Sequence, residues 1–297
     1  MGPDAWILNL DVEDELSTPR YQRPRAVAAR IRGLAPRLTA LTSSATPLVD
    51  DDDARAYALS SPPPGSWARA WSCTPAATYL MRAARLDAPE WTPPPEVLAE
   101  VLHRRFVTTH QLGWAASRWI TRCADVHTLL GEVPAGESWR LKRARGYAGR
   151  GQRVVRAPQP TTEDTRWIEA SLRDDGGVLA EPELEVEATL ALHGYVSPTG
   201  QRTLGTPTTQ QVDARGAWRG TAPVVLERGL ASRLVERAHR AAEALHAVGY
   251  AGAWGIDALI GRWRGEPVEV LLGELNARYT MGWAIGMGSW RPPTRWP

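Results

Sequence analysis

Gly252-Ala253-Trp254-Gly255-Ile256-Asp257-Ala258-Leu259-Ile260 and Val268-Glu269-Val270-Leu271-Leu272-Gly273-Glu274-Leu275-Asn276-Ala277-Arg278, joined through Arg264-Gly265-Glu266-Pro267, decide how this chain folds. Both are apolar runs broken by a few polar residues, the pattern of strands in a sheet. A hairpin centred between Gly265 and Glu266 sets Asp257 opposite Glu274. Directly opposed residues present their side chains to one face, and Asn276 and Arg278 follow Glu274 at the period of two that keeps them there. Two carboxylates, an amide and a guanidinium therefore converge. Pro267 cannot donate the closing hydrogen bond of a two-residue turn, so a four-residue loop with this centre is expected; a bulge would shift the register. Facing carboxylates on buried strands are costly unless neutralised. The oxygen-only set Asp257, Glu274 and Asn276 suits Mg²⁺, the alternative being a hairpin with a solvated polar face. Asn276 is one of only two asparagines in the chain.

A second scarcity points the same way. Of 35 basic residues a single one, Lys142, is lysine. It stands in Trp139-Arg140-Leu141-Lys142-Arg143, just before Gly146-Tyr147-Ala148-Gly149-Arg150-Gly151. A lysine ammonium is a compact point charge on a flexible stem, where arginine is a rigid planar fork. A lone lysine before a glycine-rich loop suggests a phosphate site.

Composition sets bounds. With 297 residues, two domains are expected. The 33 acids nearly cancel the bases, leaving a net charge of +2, so the arginine content is no footprint for nucleic acid. Cys73 and Cys123 stand alone, with neither metal-ligand spacing nor a disulfide framework, which fits a reducing cytoplasm. The apolar run at the N-terminus ends at Asp11, too short for a signal or a membrane segment.

Along the chain, residues 5–10 read as a buried first strand followed by an acidic turn at Asp11-Val12-Glu13-Asp14. Residues 24–42 and 76–87 read as helices, Asp50 to Asp53 as a solvated turn or helix start, and Trp91-Thr92-Pro93-Pro94-Pro95 as a stiff linker. A domain boundary is set after it, giving units at 1–95 and 96–297, the second divided near residue 185. Strands are expected around Lys142 and Val154, a helix from Glu163 to Leu172, and a strand ending at Glu181-Pro182. Another strand is expected from Glu187 to Val196, and a long helix from Val225 to Val248 with Leu230, Leu234, Ala238, Ala241 and Leu245 on one stripe, stopped at Gly249. His193, His239 and His246 are read as structural, and no nucleophile-elbow or zinc-protease motif is present. The tryptophans are read mainly as core, with Trp283 to Trp290 as the stretch for substrate contact.

A strand lysine before a glycine-rich loop, a strand ending in Glu, a helix, then Asp and Glu-x-Asn on a late hairpin: in this order the motifs resemble the ATP-grasp superfamily over roughly residues 100–290. The resemblance implies an α/β (α+β) fold in which two α+β subdomains (96–185 and 186–297) clasp ATP, preceded by a Rossmann-like pre-ATP-grasp domain (1–95). It implies that Lys142 contacts ATP and that the loop with Gly149, Arg150 and Gly151 closes over the phosphates. Glu181, Pro182 and Leu184 would border the adenine, and Glu187, with Glu185 as a near alternative, would bind ribose. Asp257, Glu274 and Asn276 would hold Mg²⁺ (or Mn²⁺), with Arg278 at the reacting groups. The family's second lysine is absent, and Arg104 or Arg105 stands in its region, Arg105 being taken as the phosphate ligand. Gly255 lies where the D-alanine ligase branch has arginine, which argues against that branch. The implied activity is an ADP-forming carboxylate–amine ligase working through an acylphosphate on small-molecule or peptide substrates, in the cytoplasm, without nucleic acid or membrane and with a homodimer allowed. The alternatives on this fold are a non-ligating ATP-binding scaffold or sensor and a kinase-like phosphotransferase.

Overall fold

The computed structural model describes residues 2–18, 20–89, 91–146, 149–213 and 218–293. Each of its three sheets comes from one stretch of the chain. The first stretch holds β1 (Ala5–Ile7), α1 (Val12–Ser17), α2 (Arg25–Leu34), α3 (Thr39–Thr42), β2 (Thr46–Leu48), α4 (Asp51–Leu59), β3 (Ala68–Ala70) and α5 (Pro75–Ala83). Its strands pair in parallel in the order β2-β1-β3, a small Rossmann-like sheet. The apolar run from Ala5 to Leu8 is fully buried because helices cover it, as parallel sheets require. The helix expected over 24–42 ends at Leu34 and continues as a 3₁₀ turn over Ala35–Leu38, since Pro36 cannot supply an interior amide. Asp50 caps α4, accepting the amide of Asp53.

The second stretch holds α6 (Pro95–Val101), α7 (Arg105–Thr109), β4 (Arg118–Ile120), α8 (Cys123–Glu132), β5 (Ser138–Arg143), β6 (Gln152–Arg156), α9 (Thr162–Asp175) and β7 (Val178–Pro182). Its antiparallel sheet runs β4-β7-β5-β6. The third stretch adds β8 (Glu185–Val196), β9 (Arg202–Leu204), β10 (Thr208–Val212), β11 (Trp218–Pro223), α10 (Arg228–Ala247), β12 (Gly252–Trp263), β13 (Glu266–Asn276) and α11 (Trp283–Met287). Here the order is β11-β10-β8-β12-β13, with β9 beside β8. The stripe of α10 is seated as its spacing demands: Leu234, Ala238, Ala241 and Leu245 are fully buried against β8 and β12, and Leu230 partly so.

The β12–β13 hairpin reaches the expected pairing by a different route. Its turn is Arg264-Gly265, both with positive φ, closed by Trp263 opposite Glu266. The centre thus lies earlier than expected, and Pro267 is clear of the closing bond. Two bulges then each add a residue to β13. The second leaves Gly273 outside the ladder and restores Asp257 to Glu274 and Gly255 to Asn276. None of the described helices is long and apolar enough to cross a membrane, and both cysteines are free.

Candidate functional site

Asp257, Glu274, Asn276 and Arg278 come together at one end of a cleft of about 580 Å³. The amide of Asn276 donates to Asp257 Oδ2 at 3.3 Å, and Gln210 of β10 donates to Asp257 Oδ1. Burial, and next the charge of Glu274, push the Asp257 carboxyl up to about 7. Burial also works against an ionised Glu274, but Arg104, Lys142 and Arg278 outweigh it and hold its carboxyl below the usual range. One carboxylate of the pair is thus neutralised by cations, while the other is only partly compensated, by Arg278. Among the described residues no three His, Cys, Asp or Glu side chains converge as a metal cluster. The donor set is two carboxylates and an amide, hard oxygens that suit Mg²⁺. The Asn276 N–H now on Asp257 would have to give way to the amide oxygen for a cation to bind there.

The lysine and the glycine loop face this end from the second sheet. Lys142 is buried on β5 between two partners: its Nζ lies 2.6 Å from Glu181 Oε2 and donates to the Gly273 carbonyl at 3.2 Å. The bulge explains that second contact, because it turns the Gly273 carbonyl out of the ladder toward the lysine. At the loop, Gly149 and Gly151 sit at φ +76° and +69°, where a side chain is strained. Arg150 and Gly149 line the cleft. Tyr147 and Ala148 lie outside the described residues.

The other expected residues are divided between the site and its surroundings. Arg105 is exposed at the start of α7, whereas Arg104 points into the site. Its guanidinium lies 2.7 Å from Glu274 Oε1 and donates to the carbonyls of Arg143 and Gly146 at 2.9 and 3.0 Å. Neighbouring residues at a helix start diverge by about 100°, so only one of the two can face Glu274. Glu187 is exposed and paired with Arg262 at 3.1 Å, outside the cleft lining; Glu185 is exposed too. Pro182 and Leu184 are buried beside Glu181. The segment Asp11 to Asp14 is not a turn: Val12 opens α1 and Glu13 is buried. Trp283 is fully buried, its Nε1 donating to the Gly194 carbonyl at 3.3 Å, so Thr280, Met281 and Gly282 line the cleft in its place.

Two participants had no signal in sequence. Glu13 Oε1 accepts from Arg278 Nε at 2.8 Å and lies 2.6 Å from its second nitrogen, across 265 residues. Gln210 belongs to β10, one of three short polar strands, β9 to β11, that alternating apolar patterns do not reveal. His193, by contrast, is buried, with its proton affinity lowered by burial to about 4, and packs against Gly255, Gly282 and Gly286 as a structural group.

No family model matches the sequence, and no curated protein is similar to it in sequence. Solved structures are similar in fold. N5-carboxyaminoimidazole synthetase from Staphylococcus aureus, complexed with ADP, superposes with a TM-score of 0.53 at 10% identity, over 81% of this chain and 75% of that one. N5-carboxyaminoimidazole ribonucleotide synthetase from Thermus thermophilus gives 0.52 at 17% identity, over 93% and 71%. These likenesses cover four fifths or more of the chain, and with the hairpin, the lysine strand and the glycine loop in their order along the chain, they show that this protein has the ATP-grasp fold.

Proposed function

We propose that this protein is an ATP- and Mg²⁺-dependent ligase that activates a carboxylate as an acylphosphate and joins it to an amine, releasing ADP and phosphate. The observation that carries the reading is the frustrated pair Asp257–Glu274, set beside Asn276 and Arg278 and faced by Lys142, Arg104 and the Arg150 loop. A carboxylate only partly compensated, in a cleft rimmed by arginines, suits a cation bound together with phosphates. The ADP complex of the Staphylococcus aureus neighbour supports the nucleotide part.

Mg²⁺ would be held by Asp257, Glu274 and Asn276 and would supply neutralising charge to the phosphates. Lys142 exchanges its contact with Gly273 for phosphate oxygens, leaving Glu181 to set its position. The Gly149–Gly151 loop brings backbone N–H groups and Arg150 over the phosphates and excludes water. Arg278, held by Glu13, stabilises the charge that develops on the reacting carboxylate and on the tetrahedral adduct with the amine. Losing such a contact costs on the order of 3–4 kcal/mol of barrier. The test is ADP release from the purified protein: turnover that needs both an acid and an amine and is abolished in Glu274→Ala supports ligation. ATP binding without turnover points to a scaffold, and phosphorylated product without an amine to a kinase.

A further inference from the structure

The cleft extends beyond the carboxylates onto the first stretch of the chain, which no nucleotide contact requires. Arg30, Leu34 and Arg37 recur at intervals of four and three, so they share one face of α2 and the 3₁₀ turn that prolongs it. All three line the cleft, together with Ile31. Opposite them stand Trp218 and Arg219 of β11. The Arg37 guanidinium lies 4.3 Å over the Trp218 ring and donates to the Arg219 carbonyl at 2.5 Å, closing this end across 182 residues.

The floor of this end is apolar and continuous with the core. Ile31 and Trp71 belong to one buried cluster, and Leu10 and Met281 pack against it; all four line the cleft. The floor starts beneath Arg278, whose guanidinium lies 6.0 Å over Trp71, and runs toward α2. Acids facing the cleft away from the metal end are neutralised: Asp11 pairs with Arg23 at 2.8 Å and Asp213 with Arg219 at 2.8 Å. Of the arginines at this end, Arg37 is held by the Trp218 ring and the Arg219 carbonyl, Arg219 by Asp213, and Arg30 is engaged as well, so a polar side chain laid on Ile31, Leu34 and Met281 exchanges water for a mainly apolar floor and is penalised on desolvation. The volume is within the range of pockets that hold a small molecule.

We infer that the carboxylate activated here belongs to an apolar substrate, an aliphatic or aromatic amino acid or a short peptide bearing such a side chain, with its carboxylate at Arg278 and its apolar part on Ile31, Leu34 and Met281. This rests on the ligase reading of the same cleft and names its substrate class. Leu34 is the specificity residue at the end of α2 and has no part in the phosphate contacts assigned above.

The experiment uses the full chain with Mg²⁺-ATP, hydroxylamine as a common nucleophile, and leucine, phenylalanine, aspartate or lysine as the carboxylate, read as ADP release. Binding of the same four probes is followed in parallel by tryptophan fluorescence, since Trp71 and Trp218 line the site. Leucine and phenylalanine are expected to show KM values at least about tenfold below those of aspartate and lysine, in line with the roughly 10–200-fold that one apolar group is worth in such a pocket. Leu34→Arg is expected to raise KM and Kd for leucine about tenfold or more, with kcat within about twofold and the KM for ATP unchanged; Leu34→Ala, milder to the fold, moves the same constants in the same direction. Equal turnover of all four acids, or a leucine KM untouched by both variants, overturns this inference and leaves the ligase reading standing. Selective leucine binding lost in Leu34→Arg, with no ADP formed, supports the apolar site and sinks the ligase reading. Absence of both binding and turnover with every acid overturns both.

Discussion

Replacing Asp257 by Asn separates stability from function with opposite signs. In the folded chain Asp257 titrates near 7 against an ordinary 3.8, because it is buried beside Glu274. The native state therefore holds more protons than the unfolded chain between about pH 4 and 7, and stability contributed by the protonated form is lost as pH rises through that window. At about 1.36 kcal/mol for each tenfold change in proton affinity, the upper bound is about 4 kcal/mol. Partial access from the cleft reduces this, so about 1–3 kcal/mol is expected. Asp257→Asn carries no charge to repel Glu274. Without Mg²⁺ it should be more stable than the parent by that amount at pH 8, the same at pH 4, and flatter between. Urea unfolding at pH 4, 5, 6, 7 and 8 measures this. Adding Mg²⁺ with a non-hydrolysable ATP analogue at pH 8 should stabilise the parent and not the variant. A variant less stable than the parent at pH 8 without metal would refute the reasoning, since the two carboxylates would then not be in conflict.

Other outcomes follow from the same contacts. Glu13→Ala leaves the Arg278 guanidinium, only 11% exposed, without its partner; a loss of about 3–5 kcal/mol is expected, largely recovered in Glu13→Ala/Arg278→Ala, as thermal unfolding of the cycle would show. Arg104→Ala should weaken ATP binding about tenfold or more by titration calorimetry, whereas Arg105→Ala should leave it within about twofold, because only Arg104 reaches Glu274. Lys142→Arg keeps the charge but puts a planar fork where one ammonium fits between Glu181 and the Gly273 carbonyl, and ATP affinity should fall roughly 10–100-fold; unchanged affinity would mean that the lone lysine carries no selection for shape.

Much of the fold was legible because its signals are local. The α10 stripe, the capped helices and the apolar strands around Lys142 follow from periodicity and turn chemistry. The pairing of Asp257 with Glu274 was reached through two compensating departures: the turn closes earlier than expected, and two bulges on β13 make up the difference. An isolated glycine within a strand is the local mark of a bulge, and the one at Gly273 gives Lys142 its carbonyl contact, whereas the bulge at Glu269-Val270 carries no such mark. What could not be read depends on distance along the chain. Glu13 reads as part of an acidic turn, because nothing near it announces Arg278, 265 residues later. The choice of Arg104 over Arg105 depends on the rotation of α7 about its axis, and Gln210 sits on a strand of threonine and glutamine that carries no apolar alternation.

The most direct measurement is ADP release by the full chain with ATP, Mg²⁺, an apolar carboxylate and an amine, each omitted in turn. If the Asp257–Glu274–Asn276 end of the cleft activates a carboxylate for ligation, sustained ADP release requires all four and disappears in Glu274→Ala. ADP release at an undiminished rate without the amine, or in Glu274→Ala, would contradict it.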